Sequence, residues 1–596
     1  MADSKQDVLE MLQELAELTR VDEGDPQSFR VRAYESAAES IAAQATDLGR
    51  LTAAELQRID GIGKSTAEKI HELLATGKVA RLEELRRKHP PSVVELLRIQ
   101  GLGPKALKRL RAELGVESIA DLRRVLAEHQ LRTLKGFGPR SEENLALALA
   151  RLEAEGAVAR TPISVALPLA TRLVARLAEV PGVTRAELAG SLRRFAETIG
   201  DVDILVVAAD PEPVMEALVT APAVDRVLGR GAAKTSVVTR RGTQIDLRVV
   251  AAHQFGAAWL YFTGSKRHNI TLRQRALARG LTLNEYALSE LEGGRVVASE
   301  TEEDIYRALG LPFIPAVLRE DAGEIEAAEA GTLPRPMGTI RGDFHVHTDV
   351  SGDGRSTLAE VVAAALARDY RVLAITDHAE GTLSGVGREA LLAQREQIRA
   401  LQAALGDRLR LLHGVELNIG PAGELDYDLE FRRGFDFCLA SVHDHFNLTR
   451  EAQTQRIVTA MRDPAVRMIG HPSARMIGGR PPIELDYEVL FAAAEETGTA
   501  LEVNGGLPRL DLSVEALRRA RGRTGLRFVL TSDAHQASEL ERSRYAALNA
   551  ERAGLPPEQV VNAAPTDDDG AALLRWSTQA EAVAVAGRAG VRERLS

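Results

Sequence analysis

The stretch "GDVDILVV", residues 200–207, places two aspartates one residue apart at the entrance of an unbroken apolar run. A short apolar run of this kind predicts a buried strand. Alternate residues of a strand share a face, so Asp201 and Asp203 are expected to project together. The stretch therefore predicts a strand that presents a pair of carboxylates at its start.

A third carboxylate follows in "QIDLRVV", residues 244–250, where apolar residues alternate with Asp246 and Arg248. The alternation predicts a second strand that neighbours the first, with Asp246 and Arg248 on one face. Unpaired buried acids are costly, whereas Mg²⁺ prefers hard oxygen ligands and commonly shares them with substrate phosphates. Two such ions would activate a hydroxyl and neutralise a pyrophosphate leaving group. The alternative, that these aspartates are ordinary turn and edge residues, stays open on the acids alone.

Composition describes a globular protein of several domains. The chain has 596 residues, of which 45% are hydrophobic and 27% charged, and its formal net charge is −10. Three to five domains are expected, with no apolar run long enough to span a membrane. The N-terminal residues form an amphipathic helical pattern and not a signal peptide. The single Cys438 excludes disulfides and suits a reducing cytosol, so we expect a cytoplasmic, nucleoid-associated protein with no membrane partner.

Charge is segregated along the chain in spite of the acidic average. Residues 81–111 hold nine Lys and Arg against three Glu, and residues 226–275 hold ten against Asp246 alone. Such basic stretches supply the phosphate contacts that dominate DNA affinity. A solvated basic face without a partner is the competing interpretation.

One pattern occurs three times in the first 150 residues: "IDGIGKSTAEKI" (59–70), "IQGLGPKALKRL" (99–110) and "LKGFGPRSEENL" (134–145). Each copy predicts a helix, a tight glycine turn and a second helix. Glycine lets a backbone approach closely, and the amides of a helix N-terminus suit a phosphate. The repeats resemble the helix-hairpin-helix module, which binds the DNA backbone without reading bases. The expected DNA-binding residues are Gly61, Gly63, Lys69, Gly101, Gly103, Lys105, Gly136 and Gly138.

Two further motifs resemble a known enzyme family. The segment "GSLRRFAETIGDVD" (190–203) resembles the nucleotidyltransferase motif, and "YFTGSKRHNITLR" (261–273) resembles the dNTP-binding segment of family X DNA polymerases. The resemblance runs through residues 1–320. It implies that Asp201, Asp203 and Asp246 hold Mg²⁺ or Mn²⁺, with Asp246 nearest the primer 3′-OH. It also implies substrate-binding roles for Gly190, Ser191, Arg194, Tyr261, Phe262, Gly264, Asn269 and Arg273.

Two positions depart from the pattern of this family. Gln244 stands where the vertebrate enzyme has an arginine, so the charge around the primer hydroxyl is expected to differ. Lys69 matches the lyase nucleophile and Tyr34 matches its pocket, but Ser65 replaces a second lysine. A buried lysine with a depressed pKa could form a Schiff base with an abasic sugar. Lys69 as a simple phosphate contact is the alternative.

Beyond residue 340 the pattern becomes an alternation of seven apolar strands with helical stretches, which predicts a barrel with its function at the C-terminal strand ends. Nine residues of metal-ligand type fall at those ends: His345, His347, Asp353, His378, Glu416, His443, His471, Asp533 and His535. Mixed imidazole and carboxylate sets suit Mn²⁺, Zn²⁺ or Fe²⁺, and nine ligands could hold up to three ions. The turn "HTDVSGDG" leaves Asp349 as a rival to Asp353.

These nine positions resemble the polymerase-and-histidinol-phosphatase (PHP) domain. The resemblance implies metal-assisted phosphoester hydrolysis with Mn²⁺ or Zn²⁺, and in bacterial family X enzymes a 3′→5′ exonuclease with related 3′-end processing.

The expected fold is multidomain, with a helical helix-hairpin-helix region, an α+β nucleotidyltransferase palm and a distorted α/β (βα)₇ barrel. The expected domains are an 8-kDa-like helical domain (1–80), a fingers-like helix-hairpin-helix region (81–155), the palm (156–255), a thumb-like dNTP-binding domain (256–316), a linker (317–340), the PHP domain (341–575) and a tail (576–596).

The sequence thus predicts a monomeric DNA polymerase that fills short gaps in base excision repair, acting on gapped or primed duplex DNA with dNTPs and carrying a PHP nuclease. Lyase or AP-endonuclease activity is left open. Two other classes also remain: a DNA-tethered nuclease or phosphatase whose palm only binds, and a structural end-binding protein.

Overall fold

The computed structural model describes residues 4–23, 28–43, 51–59, 61–89, 104–134, 160–382 and 384–564, together with scattered positions between 93 and 149 and at 573 and 576. The chain forms two compact units, residues 1–159 and 160–596. In the part of the chain that is described, no helix has the length and apolar character needed to cross a membrane.

The first unit is helical. Its described helices are α1 (Ser4–Glu23), α2 (Phe29–Ala43), α3 (Ala53–Leu56), α4 (Lys64–Thr76), α5 (Ala80–Lys88), α6 (Pro104–Leu114) and α7 (Ile119–Ala127). The apolar faces of α1 to α5 enclose one core, and the buried residues from Val93 to Leu149 enclose a second. The unit therefore holds two small helical bodies in succession along the chain.

The palm begins the second unit with a five-stranded mixed sheet in the order β2-β4-β7-β6-β5. Its elements are β1 (Thr161–Pro162), α8 (Ile163–Ala178), β2 (Val183–Leu188), α9 (Gly190–Arg193), β3 (Thr198–Ile199), β4 (Asp201–Ala208), α10 (Glu212–Val219), β5 (Val224–Arg230), β6 (Lys234–Thr239) and β7 (Gln244–Val250). Helices α8 and α10 cover one face, because their apolar residues share a core with alternate residues of β4 and β7. That packing leaves the first residues of β4 and β7 at one edge of the sheet.

The thumb follows the palm. It consists of α11 (Phe255–Thr263), α12 (Lys266–Leu277), the antiparallel strands β8 (Leu281–Leu283), β9 (Leu288–Glu290) and β10 (Val296–Ala298), and α13 (Glu302–Ala308). The segment predicted as a linker carries α14 (Glu324–Glu329), whose Ile325 and Ala328 join the thumb core. Arg319 is fully buried and pairs with Glu302 at 2.6 Å, so the first half of this segment is part of the thumb.

The C-terminal domain is a seven-stranded parallel sheet in the order β12-β13-β14-β15-β16-β17-β18. Its strands are β12 (Gly342–Asp343), β13 (Val372–Ile375), β14 (Arg410–Asn418), β15 (Phe437–Ser441), β16 (Val466–Gly470), β17 (Ala500–Asn504) and β18 (Phe528–Thr531); β11 (Thr339–Ile340) pairs with β19 (Ala563–Ala564) outside this sheet. The helices between and after the strands are α15 (Leu358–Ala367), α16 (Arg388–Leu405), α17 (Leu429–Arg432), α18 (Arg450–Met461), α19 (Tyr487–Thr497), α20 (Val514–Arg519) and α21 (Ser543–Ala553).

The first and last strands of this sheet come together. Val346 forms a parallel bridge with Ala534, and the His347 amide donates to the Ala534 carbonyl at 2.8 Å. The sheet is therefore a nearly closed barrel, and the predicted multidomain fold class is confirmed.

The barrel also packs directly on the palm. Arg475 makes two 3.0 Å contacts with the carboxylate of Glu197. Leu507 and Leu510, which lie in the loop after β17, are buried in the palm's apolar core. The loop after β17 is thus held by both domains.

Candidate active sites

The three palm carboxylates meet at the N-terminal ends of two adjacent strands. Strands β4 and β7 run parallel, with Asp203 opposite Asp246 and Asp201 opposite Gln244. One oxygen from each of Asp201, Asp203 and Asp246 lies within 4.8 Å of the others. Since hard carboxylate oxygens are the ligands that Mg²⁺ and Mn²⁺ take, this donor set fits such a divalent ion.

The three carboxylates at this position repel one another. Burial, and then the neighbouring carboxylates of Asp201 and Asp246, raise the pKa of Asp203 to about 7. Burial acts in the same direction on Asp246, but hydrogen bonds, first from Lys234 and then from Gln244, hold the pKa of Asp246 below its usual value. A divalent cation would relieve the repulsion that raises the pKa of Asp203.

Lys234 is a neighbour of this centre that the motif analysis did not single out. Its Nζ lies 2.9 Å from Asp246 Oδ2, while Gln244 Nε2 donates to Asp246 Oδ1 at 3.0 Å. Gln244, the departure noted in the sequence, therefore contacts the third aspartate as a neutral donor, and Lys234 on β6 supplies the positive charge. The only sequence signal for Lys234 was its place in the basic stretch 226–275.

The predicted triphosphate residues lie on α9, directly beside the carboxylates. Gly190 has φ +63°, and a Cβ added there would stand 2.3 Å from Asp203 Oδ2, so glycine is required by both the backbone and the close approach. Ser191 follows it in the first turn of α9. Arg194 pairs through Nε with Glu320 at 3.2 Å and donates through Nη1 to the Thr263 carbonyl, so these two contacts hold its guanidinium beside α9.

The predicted sugar and base residues lie on α11 and α12. The Asn269 side chain donates to the Tyr261 carbonyl at 2.7 Å, and Arg273 lies 5.7 Å from the Tyr261 ring centroid. The Tyr261 and Phe262 rings are 5.0 Å apart in an edge-to-face arrangement. Gly264, at φ +71°, faces Arg194, since an added Cβ would stand 3.3 Å from its Nη1. These residues therefore form one wall next to Arg194.

The nine predicted ligands of the barrel also come together, all at the C-terminal side of the sheet. They are His345 and His347 after β12, Asp353 in the following loop, His378 after β13, Glu416 on β14, His443 after β15, His471 after β16, and Asp533 and His535 after β18. They form four overlapping groups whose ligand atoms lie within 4.8 Å of one another.

Glu416 is the centre of this cluster. Its Oε2 lies 2.9 Å from His378 Nδ1 and 3.3 Å from His345 Nε2. Its Oε1 lies 3.1 Å from His471 Nε2 and 3.2 Å from His443 Nε2. One carboxylate thus faces imidazoles on both sides, as a ligand shared between two ions would.

The loop after β12 brings Asp353 to the cluster. Asp353 Oδ2 lies 3.2 Å from His378 Nε2 and 3.5 Å from His535 Nε2. Asp349 is exposed and belongs to none of the four groups. The geometry favours Asp353 over its rival.

Many polar atoms of the barrel cluster are buried without a hydrogen-bond partner. They include both nitrogens of His347 and of His443, both oxygens of Glu416, and Nε2 of His345. Buried polar groups without partners are expensive, so this set of orphaned donors and acceptors fits metal ions. Burial, with the neighbouring His535 and His378, lowers the pKa of His347 to about 3, which keeps its imidazole neutral as a ligand must be.

Glu502 supports the cluster from behind and was missed in the sequence analysis. This buried residue of β17 lies 2.6 Å from His345 Nδ1, which leaves Nε2 to face Glu416. Glu502 also accepts from the Thr531 hydroxyl at 2.5 Å and from the His471 amide. An acid within the apolar run "ALEV" (500–503) was the available signal, since carboxylates commonly orient ligating histidines.

Both glycines of the first helix-hairpin-helix turn lie within the described residues. Gly61 has φ +79°, and Gly63 precedes α4, with nothing within 4 Å of an added Cβ. Gly138 is described in the third turn, where its carbonyl accepts from the Glu142 amide. Gly101, Gly103 and Gly136 lie outside the described residues, as does the side chain of Lys105 on α6.

Lys69, the predicted lyase residue, lies on α4. Its Nζ donates to Ser65 Oγ at 2.7 Å and lies 5.9 Å from the Tyr34 ring centroid. Burial lowers the pKa of Lys69. Both the nucleophile and the phosphate-contact interpretations remain compatible with this position.

Fold and sites together define a class of protein: a nucleotidyltransferase with DNA-binding helical repeats, joined to a metal-dependent phosphoesterase barrel. Family models match the same parts of the chain. They are a helix-hairpin-helix domain at residues 3–79, a SAM-like helix-hairpin-helix tandem at 93–151, the DNA polymerase beta thumb at 258–320 and the PHP domain at 343–503.

Among curated proteins, the chain is 34% identical to the DNA polymerase/3′-5′ exonuclease PolX of Bacillus subtilis over 575 residues, which covers 96% of this chain and 99% of that protein. It is also 32% identical to a probable phosphatase of Acetivibrio thermocellus and 32% identical to one of Syntrophotalea carbinolica, each over 37% of this chain and 90% of the relative. The chain belongs to the bacterial family X DNA polymerases that carry a PHP domain, as its motifs predicted.

Proposed function

We propose that this enzyme, a DNA polymerase with 3′→5′ exonuclease activity, fills short gaps during DNA repair and processes 3′ ends in its barrel. The observation that carries the proposal is the presence of two complete ligand clusters in one chain: three carboxylates in the palm and nine imidazole and carboxylate ligands in the barrel. A palm that only binds DNA would not need to hold three acids in mutual repulsion. The substrates are gapped or primed duplex DNA and dNTPs, and we propose a cytoplasmic monomer.

In the palm, the chain's own residues position the reactants. Ser191 and the amides of α9 would bind the triphosphate together with Arg194, whose guanidinium pairs with Glu320. Asn269 orients the Tyr261 carbonyl, which would face the sugar and exclude a ribose 2′-OH. Mg²⁺ or Mn²⁺ held by the three aspartates would promote attack by the primer hydroxyl and neutralise the pyrophosphate.

In the barrel, the histidines and Glu416 would hold Mn²⁺ or Zn²⁺, up to three ions, which would activate water against a 3′-terminal phosphodiester. Glu502 keeps His345 in one orientation for this purpose. Imidazole-rich sites bind Mg²⁺ poorly, so we expect Mn²⁺ to support the nuclease better than Mg²⁺.

The N-terminal domain supports a further, separate proposal. Lys69 is half-buried beside Tyr34, and burial depresses its pKa, which is the condition for a Schiff base with an abasic sugar. Trapping with borohydride on an incised abasic duplex tests this assignment, and an untrapped wild type would leave Lys69 as a phosphate contact.

A gapped duplex with a labelled primer tests the two activities together, first without dNTPs and then with them. We expect the double variant H345A/H347A to lose 3′→5′ degradation and to extend the primer, and D201A to degrade the primer without extending it. The double histidine variant should also accumulate more full-length product than wild type, because the two activities oppose one another at the same 3′ end.

Two results would overturn this assignment. Extension by D201A at the wild-type rate would mean that the palm only binds, as in a DNA-tethered nuclease. Degradation by the double histidine variant at the wild-type rate in Mn²⁺ would place the nuclease outside the barrel.

A further inference from the structure

The loop after β17 differs from the other loops at the C-terminal side of the barrel. Strands β12, β13, β15, β16 and β18 are each followed by a predicted metal ligand, and β14 carries Glu416. In contrast, β17 contributes Glu502 behind the ligands, and its following loop places Arg509 against the cluster. A positively charged side chain, Arg509, thus lies at the strand end where the pattern of the other strands would predict another metal ligand.

Arg509 lies on the outer side of Asp533. Its Nε is 3.6 Å from Asp533 Oδ2, whereas Oδ1 of the same carboxylate faces His345 and His347 at 3.5 Å each. Asp533 Oδ2 also accepts from the Asn504 amide at 3.0 Å, so the arginine is not the sole group that contacts this oxygen. The Arg509 guanidinium therefore lies next to the ligand cluster, and Asn504 is a second contact that orients Asp533.

The guanidinium also has unused hydrogen-bonding capacity. Nη1 of Arg509 is buried and has no hydrogen-bond partner among the described residues, although the side chain as a whole is 22% exposed. In the neighbouring Arg475, both terminal nitrogens pair with Glu197, and only its buried Nε has no hydrogen-bond partner among the described residues. A buried donor without a partner at the mouth of a metal cluster points to an acceptor that arrives with the substrate.

Arg480 is a second arginine in the electrostatic surroundings of Arg509. It stacks on Phe446, with its guanidinium carbon 3.7 Å from the ring centroid, and its Nε donates to the Ala474 carbonyl at 2.8 Å. Burial, and then the positive charge of Arg509, lower the pKa of Arg480, whereas the Asp511 carboxylate raises it. An anion bound by Arg509 would reduce the repulsion between the two guanidinium groups.

We propose that Arg509 binds a non-bridging oxygen of the phosphate that is cleaved in the barrel, and thereby acts as a catalytic residue of the nuclease. The ligand class is a phosphodiester at a DNA 3′ end, or the phosphate monoester released from it. A planar guanidinium suits this geometry, and it compensates charge that develops on the phosphoryl oxygens in the transition state. The proposal rests on the proposed nuclease function.

The palm fixes the position of this arginine. Leu507 and Leu510, on either side of Arg509, are buried in the palm core, and the Leu510 carbonyl accepts from Arg475. The Asn549 side chain donates to the Leu512 carbonyl at 2.8 Å and holds the end of the loop. The phosphate contact of the nuclease is thus assembled against the polymerase domain.

The test uses the full chain loaded with Mn²⁺ and two variants, R509Q and R509K. The matched control is R519Q, because Arg519 is an exposed arginine of the same domain whose guanidinium pairs with Glu515 at 2.6 Å and lies 5.6 Å from the Tyr487 ring centroid, with no predicted metal ligand among these partners. Inorganic phosphate is the probe, its affinity measured by calorimetry, with Mn²⁺ content and thermal unfolding measured on the same samples. We expect R509Q to bind phosphate at least ten-fold more weakly with unchanged Mn²⁺ content, and R509K to bind it with intermediate affinity. R519Q should behave as wild type.

Degradation of a labelled 3′ end gives the second readout, and kcat/KM of R509Q should fall roughly 10²- to 10³-fold. Phosphate affinity of R509Q within two-fold of wild type would overturn the proposal. Loss of Mn²⁺ in parallel with activity would also overturn it, since Arg509 would then only support Asp533. If R509Q does not fold, wild-type phosphate affinity in R509K decides against the proposal and a loss of affinity decides for it. A wild type that binds phosphate but does not degrade DNA would refute the nuclease function, while the affinity comparison would still decide the role of Arg509.

Discussion

Replacement of Gly190 by alanine should separate folding of the palm from its chemistry. Gly190 has φ +63°, and an added Cβ would stand 2.3 Å from Asp203 Oδ2, whereas ordinary contact begins at 3.4 Å. The Asp203 carboxylate must therefore move by about 1 Å, and a misplacement of that size costs roughly 10²-fold in rate. The left-handed backbone adds a cost of about 1–2 kcal/mol in the free energy of unfolding. We expect G190A to incorporate dNTPs roughly 100-fold more slowly and to bind DNA as wild type does.

Gly182 provides the matched control for this variant. It has φ +88° in a turn of the palm, and nothing lies within 4 Å of an added Cβ. G182A therefore carries the same backbone cost without displacing a carboxylate, and should lose stability but extend a primer near the wild-type rate. Single-turnover incorporation on a one-nucleotide gap, with urea unfolding of each variant, measures both effects. Equal incorporation rates for G190A and G182A would refute the reasoning, because the position of Asp203 would then not limit the reaction.

Three other variants test separate parts of the molecule. G63V places a side chain in open space at the start of α4, so the free energy of unfolding should not change. Binding to duplexes of unrelated sequence should weaken by roughly ten-fold, as measured by fluorescence anisotropy. A loss of affinity for one sequence alone would contradict a contact with the DNA backbone. E502Q removes the charge that orients His345 and should lower Mn²⁺ affinity about 10- to 100-fold, with extension unchanged; wild-type affinity would show that Glu502 does not position the ligand. Burial alone would raise the pKa of Glu302, but the pairs with Arg193 and Arg319 lower this pKa to about 2. The ionised form of Glu302 therefore stabilises the folded protein by about 3 kcal/mol above pH 4.5. This contribution is lost as the pH falls toward 2. The difference in unfolding free energy between wild type and E302Q should therefore shrink between pH 5 and pH 3, and a constant difference would contradict the linkage.

Much of both sites could be anticipated because local patterns determine them. Side chains alternate between the two faces of β4 and β7, so Asp201 and Asp203 lie on one face of their strand and Asp246 lies on one face of its own. The parallel pairing of β4 with β7 then brings the three carboxylates together. In the barrel, every parallel strand ends at the same side of the sheet, so ligands that follow successive strands converge whatever the details of packing. The segment predicted as a linker illustrates the limit, since its acidic, proline-flanked composition gave no indication that Ile325 is part of the thumb core.

The kinds of domain, the family and the residues that belong to a strand end or a short motif could be inferred from the order of amino acids. The neighbours that contact those residues became known only from the folded chain: Lys234 beside Asp246, Glu502 behind His345, and Arg509 against Asp533. It also decided that the palm and the barrel share the loop after β17, through contacts such as Arg475 with Glu197, 278 residues apart in the chain. The physical reason is that periodicity reports which face a side chain occupies, whereas the partner across that face depends on how distant segments pack.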